Sequence, residues 1–145
     1  MGRRRINPRD SRRYYDWFNQ AEDDMAAAEL LMQNERCYNL SAFHCQQAIE
    51  KGLKGYILFR TGNLVDGHNL TWLCKQAVKL DGTFARWLSQ SAKLNRCYIE
   101  TRYPADIPLD LSLSKVKEAF QMSSDMLDFI FDQFEKESGL EADFS

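Results

Sequence analysis

The chain has 145 residues, of which 44% are apolar, and its 19 Lys and Arg against 21 Asp and Glu give a net charge of −2. This length suffices for one domain with a proper core but not for two, and the composition is that of an ordinary globular protein. The longest apolar runs are a few residues, far below the roughly 20 that cross a bilayer, so we expect no membrane span. The N-terminal residues lack the apolar stretch of a secretory signal, and we therefore expect a cytoplasmic protein.

Positive charge is concentrated at the start of the chain. Residues 1–13 contain six arginines and one aspartate, whereas the rest of the chain has 13 basic and 20 acidic residues. We predict a basic N-terminal arm over residues 1–13, a folded unit over residues 14–138 and an acidic tail over residues 139–145. An arginine-rich arm can pair with the phosphates of a nucleic acid. The alternative is a well-solvated terminus without a ligand.

Two amphipathic helices are predicted in the first half of the chain. Apolar residues at intervals of three and four predict one helix over residues 11–34 and a central helix over residues 38–60. Gly62 suits the left-handed conformation that closes many helices. The break at residues 34–37 is short, so we expect an antiparallel hairpin. The acidic residues that we expect on the solvent side of the first helix are Glu22, Asp23, Asp24 and Glu29.

A second row of residues, polar rather than apolar, follows the central helix. Its members, spaced three, four and three residues apart, are His44, Gln47, Lys51 and Lys54. Residues three and four positions apart lie on one face of a helix, so these side chains form a continuous stripe. Two lysines make the stripe partly basic, and it is the first candidate for a functional surface.

Three further helices are predicted in the second half. Asn69 or Thr71 is expected to cap a short one, and apolar spacing predicts two longer ones over residues 84–98 and about 112–138. Between these two, residues 102–112 form the longest segment without a pattern, a type of loop that often carries function. No alternation typical of strands appears. We therefore predict an all-α, up-and-down bundle of four main helices plus a short extra helix.

Side chains suited to catalysis or metal binding are few in this sequence. It has two histidines, far apart, and four cysteines without any C-x-x-C pair, which argues against a zinc site and a disulfide framework. It also lacks the G-x-S-x-G elbow of hydrolases and the glycine-rich loops that bind phosphates. We therefore predict no catalytic residue, no bound metal and no cofactor.

Three blocks of the sequence together carry a family resemblance. In chain order they read AFHCQQAIEKGLKGYILFRTG, HNLTWLC and YIETRYP. This series resembles the HEPN family of small helical domains. The resemblance implies a helical bundle and a homodimer. It also implies a partner, because such domains are often encoded beside, or fused to, minimal nucleotidyltransferases in toxin-antitoxin-like modules.

Ribonuclease activity in this family is associated with a motif that the chain lacks. Catalytic members resemble one another in an Arg, a polar residue and a His four to six positions after the Arg, with the cation stabilising phosphate charge and the imidazole moving protons. Here Arg102 is followed by Tyr103 and Pro104 and by no histidine. We therefore predict that the protein is not a catalyst.

A nucleotide or RNA site is predicted from the residues of the family pattern that remain. Arg102 would pair with a phosphate in fork geometry, and Tyr98 or Tyr103 would stack on a base. Lys51 and Lys54 would add positive charge. His44, Gln47 and His68 complete the predicted set.

Structural roles are the alternative for several of these residues. Arg102 could bridge to a helix carboxylate such as Glu50, and Tyr103 could belong to the core. His44 could be a histidine satisfied by a neighbouring helix, and His68 could bond to backbone at a helix start.

The predicted function is therefore that of a nucleotide-binding or RNA-binding HEPN domain, or of an accessory partner of a minimal nucleotidyltransferase. Two alternatives stay open. One is a metal-independent ribonuclease with a non-standard site, in which His44 or His68 is completed by Arg102 across a dimer. The other is a structural module whose exposed stripe on the central helix docks a protein.

Overall fold

The computed structural model describes residues 10–98 and 111–142, and within these ranges all regular secondary structure is helical, with no strand. The five α-helices are α1 (Tyr14–Leu31), α2 (Tyr38–Thr61), α3 (Leu70–Leu80), α4 (Leu88–Asn95) and α5 (Leu113–Ser138). Two 3₁₀ helices, Glu35–Cys37 and Gly82–Trp87, precede α2 and α4. The prediction of an all-α bundle is confirmed. No helix of the described ranges combines the length and apolar character that a membrane crossing requires.

α1 and α2 form the predicted hairpin. The 3₁₀ turn between them is held by the Asn34 side chain, which accepts a hydrogen bond from the Arg36 amide at 3.0 Å. Ser41 Oγ of α2 donates to the Ala28 carbonyl of α1 at 2.7 Å. α1 begins at Tyr14, three residues later than predicted, because Ser11 bonds to the side chain of Asp16 and stays outside the helix.

α2 is the central element and packs against α1, α3 and α5. Two of its glycines allow neighbours to approach closely. A Cβ at Gly52 would lie 2.8 Å from Leu127 Cδ1 of α5, and one at Gly55 would lie 2.8 Å from the Phe18 ring of α1. α2 ends at Gly62, whose φ of 73° is the predicted left-handed closure.

The C-terminal end of α2 is tied to two other helices by one cluster of hydrogen bonds. Tyr56 Oη donates to the Glu137 carboxylate of α5 at 2.8 Å, and Arg60 Nη1 donates to Tyr56 Oη at 2.8 Å. Arg60 Nη2 also donates to the Leu80 carbonyl at the end of α3, at 3.1 Å. Burial first, and then the bond to Glu137, raise the pKa of Tyr56, so the phenol keeps its proton and acts as the donor.

The second half departs from prediction at one helix. The predicted helix over residues 84–98 is divided into the 3₁₀ helix Gly82–Trp87 and α4, because the Asp81 carboxylate binds the Thr83 amide at 3.0 Å and tightens the first turn. Asn69 caps α3, as predicted, by accepting from the Trp72 amide. Residues 1–9 of the predicted arm and residues 102–110 of the predicted loop lie outside the described ranges.

Candidate functional site

A cluster of polar side chains lies on the sides of α2 that face α1 and the segment before α3. We call it the polar cluster, and its members are Asp24, His44, Gln46, Gln47, Glu50, Lys51, Lys54 and His68. The row predicted on α2 supplies four of them. Two carboxylates, one from α1 and one from α2, organise the rest.

Asp24 is the first of these carboxylates and binds two cationic or basic groups of α2. Its Oδ1 lies 2.8 Å from His44 Nδ1, and its Oδ2 lies 2.7 Å from Lys51 Nζ. Asp24 itself is only 7% exposed. The expectation that it faces solvent is therefore wrong, because Ala21, Asp24 and Ala28 share the buried stripe of α1 and α2 offers partners there.

Glu50 is the second carboxylate and holds four side chains. Its Oε2 accepts from Lys54 Nζ at 2.9 Å, and its Oε1 lies 3.3 Å from His68 Nδ1. The amides of Gln46 and Gln47 also donate to Oε1, at 3.4 and 3.5 Å. Gln46 reaches the His68 carbonyl as well, at 3.1 Å, so the segment before α3 is fixed to α2.

Lys54 is fully buried, with a side-chain exposure of 0%. A buried ammonium group is stable only beside an opposite charge, and Glu50 supplies that charge. The Trp17 ring adds a cation–π contact, with Lys54 Nζ 5.8 Å from the ring centroid. Lys54 is thus the counter-ion of Glu50, and the basic groups nearer to solvent are His44, Lys51 and His68, whose side chains are 22 to 32% exposed.

Aromatic rings border the polar cluster on the side of His68. The imidazole of His68 stacks on the Tyr98 ring, with centroids 4.5 Å apart and planes 20° apart. Phe43 contacts both Tyr98 and His44, at 6.0 and 5.7 Å between centroids. Histidine and tyrosine faces of this kind are the surfaces on which nucleic-acid bases stack.

Both histidines have the same chemical environment at one ring nitrogen. His44 Nδ1 is bound to Asp24 and His68 Nδ1 to Glu50. A carboxylate at Nδ1 favours the tautomer with the proton on that nitrogen, so Nε2 is left as a hydrogen-bond acceptor. Among the residues described, no three His, Cys, Asp or Glu side chains are placed to hold a metal ion.

Two cysteines near the core are not nucleophiles. Burial raises the pKa of Cys45 to about 11, although a hydrogen bond with Ser123 lowers it slightly. Burial likewise raises the pKa of Cys97 to about 11. Both thiols are therefore protonated at neutral pH.

Six of the eight predicted site residues lie in or beside the polar cluster. They are His44, Gln47, Lys51, Lys54, His68 and Tyr98. The other two, Arg102 and Tyr103, lie outside the described residues. The sequence reasoning missed Asp24, Gln46 and Trp17, and it considered Glu50 only as a partner of Arg102. Asp24 lies three residues after Ala21 and four before Ala28, and this helical spacing was the one available signal that Asp24 faces α2.

Comparisons with known proteins assign the chain to one family. A family model for the HEPN domain matches residues 14–134. The solved structure of TT1696 from Thermus thermophilus is similar, with 26% identity, a TM-score of 0.68, and coverage of 83% of this chain and 97% of that chain. ST0689, described as an archaeal HEPN homologue, is similar with 25% identity, a TM-score of 0.66 and the same coverage. No curated protein matches the chain.

Proposed function

Because this chain belongs to the HEPN domain family, we propose that its polar cluster binds the phosphates of a nucleotide or an RNA. The observation that carries the proposal is the pair of bonds from His44 and Lys51 to Asp24. Asp24 takes one N–H donor from each of the two side chains, and the ammonium group of Lys51 keeps further N–H donors for a second anion.

The aromatic border supports a nucleotide rather than a bare anion as the ligand. The stacked pair of His68 and Tyr98 lies at the side of the polar cluster. Arg102 follows Tyr98 by four residues, a stretch of chain that spans at most about 14 Å. In the proposal its guanidinium pairs with a phosphate, while Tyr103 stacks on the base.

A protein partner is the second part of the proposal. Members of this family are expected to act as homodimers and as accessory partners of minimal nucleotidyltransferases in toxin-antitoxin-like modules. A domain that binds nucleotides is chemically suited to that role, because the partner enzyme uses a nucleotide as its substrate. In this proposal the protein itself performs no catalysis.

Isothermal titration with ATP, GTP and a short RNA, at low and moderate salt, tests the binding site. We expect Lys51→Ala and Arg102→Ala to weaken binding at least tenfold, and Lys136→Ala, which removes an exposed charge of α5, to leave it unchanged. Equal affinities in all four proteins would remove the proposed site. If no probe binds the wild type, the partner role alone survives, and a co-purifying nucleotidyltransferase becomes the expected finding.

A ribonuclease is the second candidate, because a carboxylate at Nδ1 of a histidine is the arrangement that orients a general base. Cleavage of a structured RNA in the presence of a metal chelator tests it. The candidate requires that His44→Gln combined with His68→Gln abolishes cleavage while melting temperature is retained. Cleavage that persists in the double variant would come from another source.

A further inference from the structure

A surface groove lies between α1 and α5, and its residues are different from those of the polar cluster. Its volume is about 260 Å³. The apolar part of its lining includes Met25 of α1 and Phe120, Leu127 and Phe131 of α5. Met25, Phe120 and Phe131 are only half-buried, although all three pack against the core. The two helices thus leave apolar surface uncovered along the groove.

The length of the groove fits a helix. From Phe120 to Phe131 its lining extends along eleven residues of α5, which is about 16 Å or three turns. At the Phe131 end, α1 and α5 are in ring contact, because Phe18 lies 5.2 Å from Phe131 between centroids. An amphipathic helix of three turns presents apolar side chains at positions i, i+3 or i+4, and i+7, and these are the anchors that grooves of this kind accept.

Both helices that form the groove are acidic. α1 contains five Asp and Glu residues and no Lys or Arg. Residues 118–135 of α5 likewise contain five acidic residues and no Lys or Arg. Three of these carboxylates line the groove, namely Glu22, Glu29 and Asp128. The apolar surface is therefore bordered by negative charge from both helices.

Asp128 shows the strength of this negative charge. Asp125 lies three residues before it and Asp132 four residues after it, so the three carboxylates share one face of α5. Burial first, and then Asp132 and Asp125, raise the pKa of Asp128. Like charges at this spacing repel one another, and a cation placed beside them removes that repulsion.

The sign of the charge selects the occupant. A nucleic acid is repelled by carboxylates. A closed dimer of this chain through the groove would place the same acidic surface against itself, because a two-fold interface pairs one surface with its copy. A partner that carries Lys and Arg beside an apolar stripe has complementary charge and complementary hydrophobicity at once.

We propose that the groove between α1 and α5 binds a basic amphipathic helix of a partner protein. Its apolar stripe packs on Met25, Phe120 and Phe131, and its Lys and Arg lie beside Glu29 and Asp128. The inference goes beyond the proposed function, since nucleotide binding uses the polar cluster and does not involve this surface.

Fluorescence anisotropy with a labelled synthetic peptide and the full-length protein tests the groove. The peptide has about 15 residues, all leucine or lysine, with the leucines at helical spacing so that one face is apolar. A shuffled peptide of the same composition, whose leucines do not share a face, is the matched probe. We expect the first peptide to bind about tenfold more tightly than the second, because only the first combines positive charge with an apolar face.

Three variants separate the shape of the groove from its charge. Ala26→Arg places a long cationic side chain at an exposed position of the lining, and we expect about tenfold weaker peptide binding. Glu29→Lys/Asp128→Lys reverses two charges of the groove and should weaken binding by a similar factor, more at low salt than at high salt. Glu35→Lys/Glu141→Lys makes the same change in net charge at exposed positions outside the groove and should leave the affinity nearly unchanged.

Several results would overturn the inference. They are equal affinity for the two peptides, binding of neither, and equal weakening by the two double variants. Sedimentation tests the other occupant: a wild-type oligomer that Ala26→Arg dissociates would mean that a second copy covers the groove. If Ala26→Arg does not fold, as judged by circular dichroism, the two double variants decide the result. Peptide binding is measured without a nucleotide, so it succeeds or fails independently of the ATP titration that tests the polar cluster.

Discussion

The two buried sides of α2 reach the same degree of burial by different physical means. Ile49 and Lys54 are both fully buried. On the side that faces α5, burial is favourable in itself, at roughly 25 cal/mol for each Å² of apolar surface. On the side that faces α1, each buried charge costs free energy until a partner offsets it. Hydrophobic packing thus stabilises the first side, while the second contributes little net stability and contains the proposed binding site.

The largest expected effect is on the polar side, where Lys54→Met leaves Glu50 buried without its counter-ion. We expect a loss of about 4 kcal/mol in the free energy of unfolding, measured with urea. The double variant Lys54→Met/Glu50→Gln, which removes both charges, should recover most of that loss. A single variant as stable as wild type would mean that water hydrates the Glu50 carboxylate and that the two sides of α2 do not differ.

On the apolar side, Ile130→Ala should cost about 3 kcal/mol, since it leaves a cavity opposite Gly52. The change lies away from the polar cluster, so nucleotide affinity should be unchanged in the folded fraction. Urea unfolding and titration on the same sample measure both quantities. A loss of affinity without a loss of stability would contradict the division between the two sides.

The two glycines of α2 lie on different sides of the helix, Gly52 against α5 and Gly55 against α1. A Cβ at Gly55 would meet the rigid Phe18 ring, whereas one at Gly52 would meet the terminal methyl groups of Leu127 and Ile130, which can rotate away. We expect Gly55→Ala to destabilise by about 2 kcal/mol. Gly52→Ala should be close to neutral, because the gain in helix propensity of about 1 kcal/mol offsets mild crowding. Thermal unfolding measures both variants, and a Gly52→Ala protein less stable than the Gly55→Ala protein would contradict this expectation.

The smallest expected effect is a pH dependence at Asp81. Burial raises the pKa of this carboxyl, but hydrogen bonds from Thr83 and Gln133 outweigh burial and lower the pKa to about 2. A pKa below the unfolded value of 3.8 stabilises the fold above pH 4, and this contribution is lost as the pH falls from 4 to 2. Allowing for solvent screening, we expect about 1 kcal/mol.

Acid unfolding of Asp81→Asn measures that contribution. The variant should lose less stability than wild type between pH 4 and pH 2. Asp23→Asn, at an exposed position of α1, is the control and should follow the wild-type curve. Identical curves for all three proteins would show that the bonds to Asp81 do not favour its charged form.

The fold could be predicted from the sequence because its signals are local. The central helix was predicted over residues 38–60 and observed as Tyr38–Thr61, and both Gly62 and Asn69 perform their predicted roles. The fourth helix could not be predicted in detail. Its first turn depends on Asp81, which also binds Gln133, 52 residues further along the chain.

The candidate site was predicted in part for the same reason. The row on α2 follows from spacing alone, but the burial of Asp24 depends on partners 20 and 27 residues away, His44 and Lys51. A hydropathy pattern treats every aspartate as exposed, since it contains no information about which charges meet. The predicted roles of Arg102 in phosphate binding and of Tyr103 in base stacking stay predictions.

The cluster of Tyr56, Arg60 and Glu137 has a consequence for motion. It joins the ends of α3 and α5 to the end of α2, so neither α3 nor α5 can fray there without breaking a hydrogen bond to α2. Local opening there costs the hydrogen bonds of the cluster, and backbone amides in that region should exchange with solvent only slowly. Any rearrangement of α1 around a bound ligand would then pivot about this fixed end of the bundle.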